Sequence, residues 1–259
     1  MTTKNSNMTV DRIEGQLSAG LARSQAEIEA SQALRYRVFG TEMGATLHTT
    51  LPGRDTDDFD PYCRHLVVRD HGKKDIVACT RILEGWQASR AGGFYSAGEF
   101  RMDAIHALPG RKLEIGRTCV DPAYRAGPAL VLLWSALAEF VRRHRYDFLI
   151  GCASISVRDK GAGALAIMHQ LRADHMTPEA LRVEPRVPVP AHIDTPPMNF
   201  ELPALIRTYL ALGAQVGGEP CLDPDFQVAD LFLLLDLRHL EARYARRFLH
   251  PAGSRPIAA

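Results

Sequence analysis

The chain has 259 residues, carries 31 lysines and arginines against 30 aspartates and glutamates, and is 46% hydrophobic. A charge this close to neutral gives no general attraction to nucleic acid or to an anionic membrane, so an acidic partner has to meet a local basic patch. The five cysteines form no C-x-x-C pair, which argues against a zinc knuckle or a disulfide framework and favours the reducing cytoplasm. The N-terminus lacks the apolar core of a signal peptide, and the longest apolar runs are far short of the ~20 residues that span a bilayer.

The first half of the chain predicts strands, one capped helix and an irregular segment. We expect residues 1–15 to be a flexible tail and residues 85–110 to be irregular, because glycine and proline pairs interrupt the latter. Ser24 followed by Glu27 is a capping-box pattern, so a helix is predicted from there to about residue 40. Apolar runs predict strands at residues 16–23, 65–68 and 76–83.

The second half predicts an alternation of strands and helices. Strands are expected at residues 112–120, 146–153 and 228–237. Helices are expected at residues 128–144, 162–171, 202–212 and 239–249. The alternation predicts a mixed α/β (α+β) sheet covered by helices. A proline-rich connector begins at residue 185, and we expect residues 185–259, as a C-terminal extension, to complete the same domain as residues 16–184.

The stretch from residue 113 to residue 129 is the first place where chemistry could sit. A strand ends at Asp121-Pro122, and Arg125-Ala126-Gly127-Pro128 then opens the long helix. A helix N-terminus has unpaired N–H groups and the positive end of the helix dipole, which together can hold a phosphate. A plain strand-turn-helix, in which the glycine only makes the turn, accounts for the same residues equally well.

This stretch resembles the core motif of the GNAT acyltransferases. In that family a strand is followed by Val-x-Pro-x-x-Arg and by a loop that grips the pantetheine of the acyl donor; here the motif runs from Val120 to Arg125. The resemblance implies a GNAT-type, mostly antiparallel sheet with splayed central strands and flanking helices. The residues that it places against the donor are Gly116, Arg125, Ala126 and Gly127.

The loop departs from the family pattern Arg/Gln-x-x-Gly-x-Gly/Ala. Pro128 stands inside it and removes one N–H donor. A cradle for the pyrophosphate of coenzyme A is thereby weakened, whereas the single phosphodiester of the phosphopantetheine arm of acyl carrier protein needs fewer donors. We therefore expect acyl carrier protein as the donor, with no permanently bound cofactor.

The first 120 residues resemble acyl-homoserine lactone synthases, which are GNAT-like and use acyl carrier protein. Their pattern is Arg-x-x-Val-Phe, then Asp-x-x-Asp, then an arginine that closes the third strand, then Glu-x-x-Arg on the fourth. The residues that we match to it are Arg37 (near the first element) with Phe39, Asp57 and Asp60, Arg81, and Glu114 with Arg117.

The last third instead resembles the ornithine–acyl carrier protein N-acyltransferases, and this resemblance runs over residues 21–240. Segments that carry it are Leu-Pro-Ala-Leu-Ile-Arg-Thr-Tyr-Leu at residues 202–210 and Ala-Asp-Leu at residues 229–231. Members transfer a 3-hydroxyacyl group from acyl carrier protein to the α-amine of ornithine and make lyso-ornithine lipid. The resemblance implies those two partners, a cytoplasmic enzyme that can contact the inner face of the cytoplasmic membrane, no metal and no nucleic acid.

Amide formation from a thioester needs a deprotonated amine, a polarised carbonyl and a fixed geometry. We place Glu114 and Arg117 at the reaction centre, with Glu114 as the base, directly or through water. A salt bridge from Glu114 to Arg117 or Arg81 is the competing interpretation. Backbone N–H groups near Gly116 are expected to polarise the carbonyl, as strand bulges do in this superfamily.

Ornithine carries two ammonium groups and one carboxylate, so its site needs acids and an arginine. The predicted substrate-binding residues are Arg37, Phe39, Asp57, Asp60 and Arg81. A solvated loop with turn-forming aspartates is the alternative for the acids.

Three other reactive side chains have structural interpretations. Cys119 and Cys152 are expected to pack in the core, and His65 to be a satisfied structural histidine. The basic run at residues 142–145 either docks acyl carrier protein or is a solvated helix end. Two other functions stay open: another acyl carrier protein-dependent synthase of N-acyl amino acids or autoinducers, and a non-catalytic GNAT-fold binding protein.

Overall fold

The strands of the protein lie mainly in one large sheet in the computed structural model, which describes residues 12–190 and 200–239. The strands are β1 Arg12–Glu14, β2 Leu17–Leu21, β3 Arg64–Asp70, β4 Asp75–Glu84, β5 Phe100–Arg101, β6 Lys112–Val120, β7 Phe148–Ser156, β8 Glu184–Pro185, β9 Gln215–Val216, β10 Cys221–Asp223 and β11 Val228–Asp236. Within the described residues the large sheet has the order β1-β2-β3-β4-β6-β7-β11-β10, with β9 also paired to β11, and β5 and β8 form a separate pair.

Helices cover both faces of this sheet. They are α1 Gln25–Arg35, α2 Gly85–Ala88, α3 Asp103–Ala107, α4 Ala129–His144, α5 Ala162–Leu171 and α6 Ala204–Ala211. Alternation along β3 sends Leu66 and Val68 toward the core under α4, while Val67 faces the core under α1. The predicted mixed, mostly antiparallel sheet with flanking helices is therefore confirmed. No helix in the described part of the chain is long and apolar enough to cross a membrane.

The start of α1 follows the predicted capping pattern. The Ser24 side chain accepts a hydrogen bond from the Glu27 N–H at 3.3 Å, and the Glu27 carboxylate accepts one from the Arg23 N–H at 2.6 Å. The other end of the helix differs from the prediction, because α1 passes into a π-helix over Tyr36–Glu42. Single π-turns are frequent at functional sites, and this one carries residues of the site described below.

Other segments also differ from the sequence-based expectations. Residues 12–14, which we placed in the flexible tail, form β1 against β2. The segment 85–110, expected to be irregular, contains two short α-helices, a 3-10 helix at Tyr95–Gly98 and β5. Of the predicted helix at residues 239–249, residues 240–249 lie outside the described residues, as does most of the proline-rich connector.

The centre of the sheet is forked between β6 and β7. These two strands are parallel and pair only from Lys112, Leu113 and Glu114 to Phe148, Leu149 and Ile150. Beyond that point β6 continues along β4 to Val120 and β7 continues along β11 to Ser156, so the two strands diverge. The splayed central strands that the GNAT resemblance implied are confirmed.

Gly151 lies at the point where the two strands part. A Cβ atom at this position would lie 2.5 Å from the carbonyl oxygen of Ile115 on β6, a distance that a real Cβ does not reach. The absence of a side chain therefore allows the backbones of β6 and β7 to approach closely just before they separate.

Gly151→Ala is expected to lower the free energy of unfolding by about 1–3 kcal/mol, because the added methyl group pushes β6 away from β7. Gly98→Ala is the matched control, since a Cβ there meets no atom within 4 Å. Urea unfolding of both variants measures the difference. Equal stabilities of the two variants would show that the fork does not need a glycine.

Candidate active site

A cavity of about 600 Å³ lies where β6 and β7 diverge. Its walls come from β6, β7 and β11, from the π-helix after α1, from the segment at residues 95–99 and from α6. Glu114 to Val120 of β6 and Cys152 to Ser154 of β7 line it from the two sides of the fork. A cavity of this size suits a ligand the size of an acyl-pantetheine fragment or an amino acid.

A bulge in β6 shapes the wall of the cavity. The register of β4 and β6 shifts between Cys79 and Arg81, so that Arg117 and Thr118 together oppose Thr80. Arg117 takes the left-handed backbone conformation, with φ of 51°. The Thr80 hydroxyl lies 2.7 Å from that of Thr118 and donates to the Gly116 carbonyl at 3.2 Å, which fixes the bulge. A bulge re-aims a side chain, and here it turns Arg117 into the cavity wall.

Buried ion pairs lie directly beneath this bulge. Their members are Arg35, Arg81 and Arg117 on one side and Asp55, Asp57 and Asp60 on the other. We call these six residues the Arg–Asp cluster. Three positive and three negative side chains balance each other, so the cluster holds no net charge. Two of the six, Arg81 and Arg117, also line the cavity.

Arg35 is the deepest member of the Arg–Asp cluster, with 1% of its side chain exposed. Its Nε lies 2.8 Å from Asp55 Oδ2, and its Nη1 and Nη2 donate to the two carboxylate oxygens of Asp60 at 2.8 and 3.0 Å. Burial acts to raise the pKa of Asp60, but the bonds from Arg35 and the charges of Arg35 and Arg81 hold that pKa below its usual range. Asp60 therefore remains a carboxylate at neutral pH.

Arg81 and Arg117 differ in how firmly they are held. Arg81 Nη1 lies 2.5 Å from Asp57 and 2.9 Å from Asp60. Arg117 is 3.3 Å from Asp55 and 3.6 Å from Asp57, and its Nε has no hydrogen-bond partner. The Nε donor of Arg117 therefore remains available for a ligand, whereas Nη1 of Arg81 is bonded to two carboxylates.

Two aromatic rings, rather than strong ion pairs, hold the Arg117 guanidinium. Its Cζ lies 4.9 Å from the ring centroid of Tyr95 and 4.6 Å from that of Phe226. Two such cation–π contacts fix the plane of the guanidinium without using its N–H groups. Burial raises the pKa of Tyr95 to about 12, so its hydroxyl stays protonated.

Glu114 lines the cavity. Its side chain lies on the sheet face opposite to that of Leu113 and Ile115, which belong to the hydrophobic core, as the alternation of the strand predicts. It is 3% exposed, and its carboxylate accepts hydrogen bonds from the Tyr95 N–H at 2.6 Å, the Ser96 N–H at 2.8 Å and the Ser96 hydroxyl at 2.5 Å. In the described residues no ion pair within 4.0 Å joins it to an arginine. Burial raises the pKa of Glu114, and the bonds from Ser96 and Tyr95 oppose that rise.

The mouth of the cavity lies at the N-terminal end of α4. Arg125 lines it and forms a two-pronged ion pair with Glu42 of the π-helix, at 2.6 and 2.7 Å. Ala126 and Gly127 lie in the exposed turn that follows, and the Gly127 N–H donates to the Tyr124 carbonyl at 3.1 Å. Of the four predicted donor-binding residues, Gly116 and Arg125 line the cavity, and Ala126 and Gly127 lie in the turn next to Arg125.

Arg37 does not reach the cavity. Its side chain is 47% exposed and its nearest acids are Asp75 at 3.9 Å and Asp121 at 3.8 Å, whereas Phe39 lines the cavity. Arg35 occupies the position that we expected Arg37 to hold. The spacing of the motif already pointed there, because Arg-x-x-Val-Phe counted back from Phe39 begins at Arg35.

The comparisons with known proteins agree with this geometry. The acetyltransferase (GNAT) domain family matches residues 34–135. The chain is 36% identical to the L-ornithine N(alpha)-acyltransferase of Brucella abortus (strain 2308) over 247 residues, which cover 89% of this chain and 88% of that protein. It is also 36% identical to the protein of the same name from Rhizobium meliloti (strain 1021) over 261 residues, which cover 93% and 88%.

The chain belongs to the L-ornithine N(alpha)-acyltransferase family. It is therefore an acyltransferase. Among solved structures it is similar to FeeM, an N-acyl amino acid synthase from uncultured soil microbes, with a TM-score of 0.54, 10% identity and coverage of 86% of this chain and 93% of that one. The AHL synthase LasI gives a TM-score of 0.52 at 13% identity, with coverage of 90% and 93%. These two likenesses concern the fold.

A second group of acids in the acyltransferase escaped the sequence analysis. Oxygens of Glu99, Asp223 and Asp230 all lie within 4.8 Å of one another and line the same cavity. We call these three residues the acid trio. Asp230 belongs to the Ala-Asp-Leu segment that carries the family resemblance, but no sequence pattern groups it with Asp223 and Glu99, and only the folded chain brings the three together. Tyr95 and Ser96 also escaped the sequence analysis, because they lie in a segment that we expected to be irregular.

The three cysteines that line the cavity are not activated thiols, and burial raises the pKa of Cys63 to about 12. The Cys79 contact and burial raise the pKa of Cys119, and burial raises that of Cys152. The sulfurs of Cys79 and Cys119 face each other across β4 and β6 at 3.6 Å. His65 is buried, burial lowers its pKa, and its Nε2 lies 3.4 Å from the Asp60 carbonyl oxygen. Their burial and these pKa directions favour packing over a role as nucleophile or base.

Arg35→Leu is expected to lower the free energy of unfolding by about 3–5 kcal/mol, because it leaves Asp55 and Asp60 buried without their main partner. The matched control is Arg37→Leu two residues away, which should change stability by less than about 0.5 kcal/mol. Chemical unfolding of both variants provides the measurement. A small effect of Arg35→Leu would mean that the Arg–Asp cluster does not stabilise the fold.

Proposed function

We propose that the protein transfers a 3-hydroxyacyl group from the phosphopantetheine arm of acyl carrier protein to the α-amine of L-ornithine, giving lyso-ornithine lipid. One observation supports this most: the cavity of the fork carries a buried glutamate, an arginine with spare donors and a group of unpaired acids. The glutamate matches an amine that must lose a proton, the arginine matches a carboxylate, and the acids match a second ammonium. The name that the family members in Brucella abortus and Rhizobium meliloti carry supports ornithine as the acceptor.

The turn before α4 supports acyl carrier protein over coenzyme A as the donor. Pro128 has no N–H, and the N–H of Gly127 is already bonded to the Tyr124 carbonyl. Fewer N–H groups therefore remain at this helix N-terminus for a phosphate. A single phosphodiester requires fewer of them than a pyrophosphate does, and the exposed side chain of Arg125 supplies a positive charge beside it.

Arg117 is the group that we propose to bind the ornithine carboxylate. It faces the cavity, its ion pairs are long, and two rings fix its plane. We expected Asp57 and Asp60 to bind the amines, but both already accept hydrogen bonds from Arg81. Their proposed part in acceptor binding is therefore to hold Arg81 and Arg117 in place.

Glu114 is the proposed base. Of the roughly four acceptor positions of a carboxylate, its three hydrogen bonds leave one, on the oxygen bonded by Tyr95. The ammonium passes one proton to this oxygen, its nitrogen attacks the thioester carbon, and the C–N bond forms as the C–S bond breaks. The second amine proton goes to the departing sulfur, so the products are the amide and a free thiol. Backbone N–H groups of the bulge near Gly116 are proposed to stabilise the oxyanion.

The five cysteines are free thiols, which supports a cytoplasmic location. Acyl carrier protein would meet the enzyme in the same compartment. The lyso-lipid product is amphipathic, so we propose that it leaves at the inner face of the cytoplasmic membrane.

The proposal is tested with purified protein, 3-hydroxyacyl carrier protein and a panel of amino acids, with products identified by mass spectrometry. Acylation of ornithine is the expected result. The same panel separates this function from the synthesis of other N-acyl amino acids. Transfer only from acyl-coenzyme A would overturn the choice of donor, and transfer only to other amines would overturn the choice of acceptor.

Glu114→Gln is expected to lower kcat by about 100- to 10,000-fold, the usual contribution of a general base. In the unaltered enzyme the rate should rise with pH through the raised pKa of Glu114, because only the carboxylate accepts a proton. The glutamine variant should lose this rise. Ser96→Ala should move this rise to higher pH. The hydrogen bond from Ser96 lowers the pKa of Glu114, so its loss raises that pKa.

The control for this series is Glu84→Gln. Glu84 is also a buried glutamate, on the neighbouring strand β4, and its partners are Arg64, Trp86 and Tyr146 rather than cavity groups. Its replacement should leave kcat and the pH profile unchanged. Full turnover by Glu114→Gln with an unaltered pH profile would remove Glu114 as the base.

Arg158→Glu is expected to raise KM for acyl carrier protein without changing kcat. Arg158 is exposed and its Nη2 donates to the carbonyl of Met43, a residue of the cavity wall, at 3.1 Å. Its charge would therefore attract an acidic carrier to the mouth of the cavity, and rim charges act on association. Steady-state kinetics with the carrier and with a free acyl-pantetheine provide the measurement.

The comparison variant is Arg145→Glu, at the far end of α4, in the basic run that we also considered for docking. It should leave KM for the carrier unchanged. An increase in KM with Arg145→Glu and none with Arg158→Glu would move the docking surface to that end of α4.

A further inference from the structure

The acid trio forms a concentration of negative charge in a wall of the cavity. Asp230 lies on β11, Asp223 at the end of β10, and Glu99 just before β5. Asp230 is 4% exposed, and one of its oxygens accepts a hydrogen bond from the Ser154 hydroxyl at 2.6 Å. Asp223 uses one oxygen to accept the N–H groups of Asp225 and Phe226 at 2.9 and 3.1 Å. Each aspartate thus keeps its second oxygen.

Donors for the remaining oxygens are missing from the described part of the chain. Glu99 Oε2 is fully enclosed and has no hydrogen-bond partner. No donor bonds the second oxygen of Asp230, although the residue is almost wholly buried. A fully enclosed carboxylate oxygen without a donor is costly, and Glu99 Oε2 is such an oxygen. Together with the free second oxygens of Asp223 and Asp230, it indicates that a ligand supplies the missing donors.

Positive charge is missing as well. Within 4.0 Å, among the residues that the structure describes, neither lysine, arginine nor histidine pairs with the acid trio. Arg117 is the cation that acts on Asp230 from a greater distance, and it is paired with the Arg–Asp cluster. The two acidic groups therefore differ: Asp55, Asp57 and Asp60, which do not line the cavity, pair with arginines, and the acid trio in the cavity wall does not.

The size of the acid trio fits an ammonium group. Three oxygens that each accept from one –NH₃⁺ at 2.7–2.9 Å, in tetrahedral directions, lie roughly 4.6 Å apart. The three oxygens all lie within 4.8 Å of one another, which leaves room for that separation. A site for Mg²⁺, which prefers octahedral coordination, would need more ligands than these three.

We infer that the acid trio binds the side-chain ammonium of a diamino acid acceptor and so selects diamino acids over monoamino acids. This inference rests on the proposed function. In it, Arg117 binds the carboxylate, the α-amine faces the thioester and Glu114, and the second ammonium lies among Glu99, Asp223 and Asp230. An acceptor without that ammonium leaves the buried carboxylates without donors, which is the strongest basis for rejecting a close analogue.

The protonation of the empty site supports the same assignment. Burial and the charges of Asp230 and Asp223 raise the pKa of Glu99 to about 8. Burial raises the pKa of Asp230 to about 6, although the bond from Ser154 opposes the rise. Without a cation the site takes up protons, and an ammonium that enters it replaces them.

The test compares L-ornithine with L-norvaline, which has the same carbon chain but no side-chain amine. The proteins are the unaltered enzyme, Glu99→Gln, Asp230→Asn and the control Asp225→Asn. Asp225 lies two residues from Asp223, but its side chain is exposed and pairs with His48 outside the cavity. The measurements are kcat/KM with 3-hydroxyacyl carrier protein, calorimetric binding of both amino acids, and the melting temperature.

The unaltered enzyme should prefer ornithine. Glu99→Gln and Asp230→Asn should each lower kcat/KM for ornithine by about 10- to 100-fold, the effect of losing a hydrogen bond to a charged group, and leave norvaline unchanged. Asp225→Asn should change neither. Without ligand, the two trio variants should melt at or above the temperature of the unaltered enzyme, because they remove repulsion between buried acids.

Equal losses with ornithine and norvaline would overturn the inference and leave the proposed function standing. Calorimetric binding of Ca²⁺ or Mg²⁺ that Asp230→Asn abolishes, with the ornithine preference intact, would make the acid trio a metal site instead. If the enzyme acylates neither amino acid, the proposed function fails. Calorimetry then decides the inference separately: binding of ornithine that Asp230→Asn abolishes supports it, and no binding overturns it.

Discussion

The divergence of β6 from β7 after three residue pairs is the constraint on which the rest of the structure depends. Backbone N–H and C=O groups must find partners, and strands normally find them by staying paired. Here each strand keeps its other neighbour, β4 for β6 and β11 for β7, so the sheet survives the opening. The cavity is the direct result, since the space between the two strands is not closed by a ladder.

Charge in the cavity is distributed in two unlike groups. The Arg–Asp cluster is neutral and buried, so its members mainly hold one another and keep the bulge around Arg117 rigid. Such a network costs desolvation and is maintained only while every member is present. The acid trio differs because no cation pairs with it among the described residues, and its Glu99 Oε2 is buried without a donor. A folded protein tolerates that cost at places where a ligand removes it.

Glu114 connects these groups to the chain that surrounds them. Its carboxylate holds the backbone of Tyr95 and Ser96, and that same short segment carries the ring beneath Arg117 and leads to Glu99. One buried side chain thus fixes the relative positions of a cation–π platform and of an acid. The electrostatics of the cavity and the fold of residues 95–99 therefore depend on each other.

Periodicity predicted most strands and helices, because strands and caps leave local traces in the sequence, whereas the fork followed only from the GNAT resemblance. Ser24 with Glu27 and the alternation around Glu114 are examples in which neighbours along the chain decide the structure. Arg35 was within reach of the same reasoning, since motif spacing alone separates it from Arg37. Glu99, Asp223 and Asp230 were not, because acids from distant segments become a group only through tertiary packing. The π-helix at Tyr36–Glu42 also left no periodic signal that distinguishes it from α1.

The connectivity of the fork has one more consequence. Because β6 and β7 are parallel, the chain has to return between them, and α4 makes that crossing. The helix must therefore begin beside the open end of the fork and finish beside the closed end. The path of the main chain thus places the proposed anchoring point for a phosphate beside the proposed space for its thioester, so side-chain changes alone can retune acceptor binding without moving the proposed donor site.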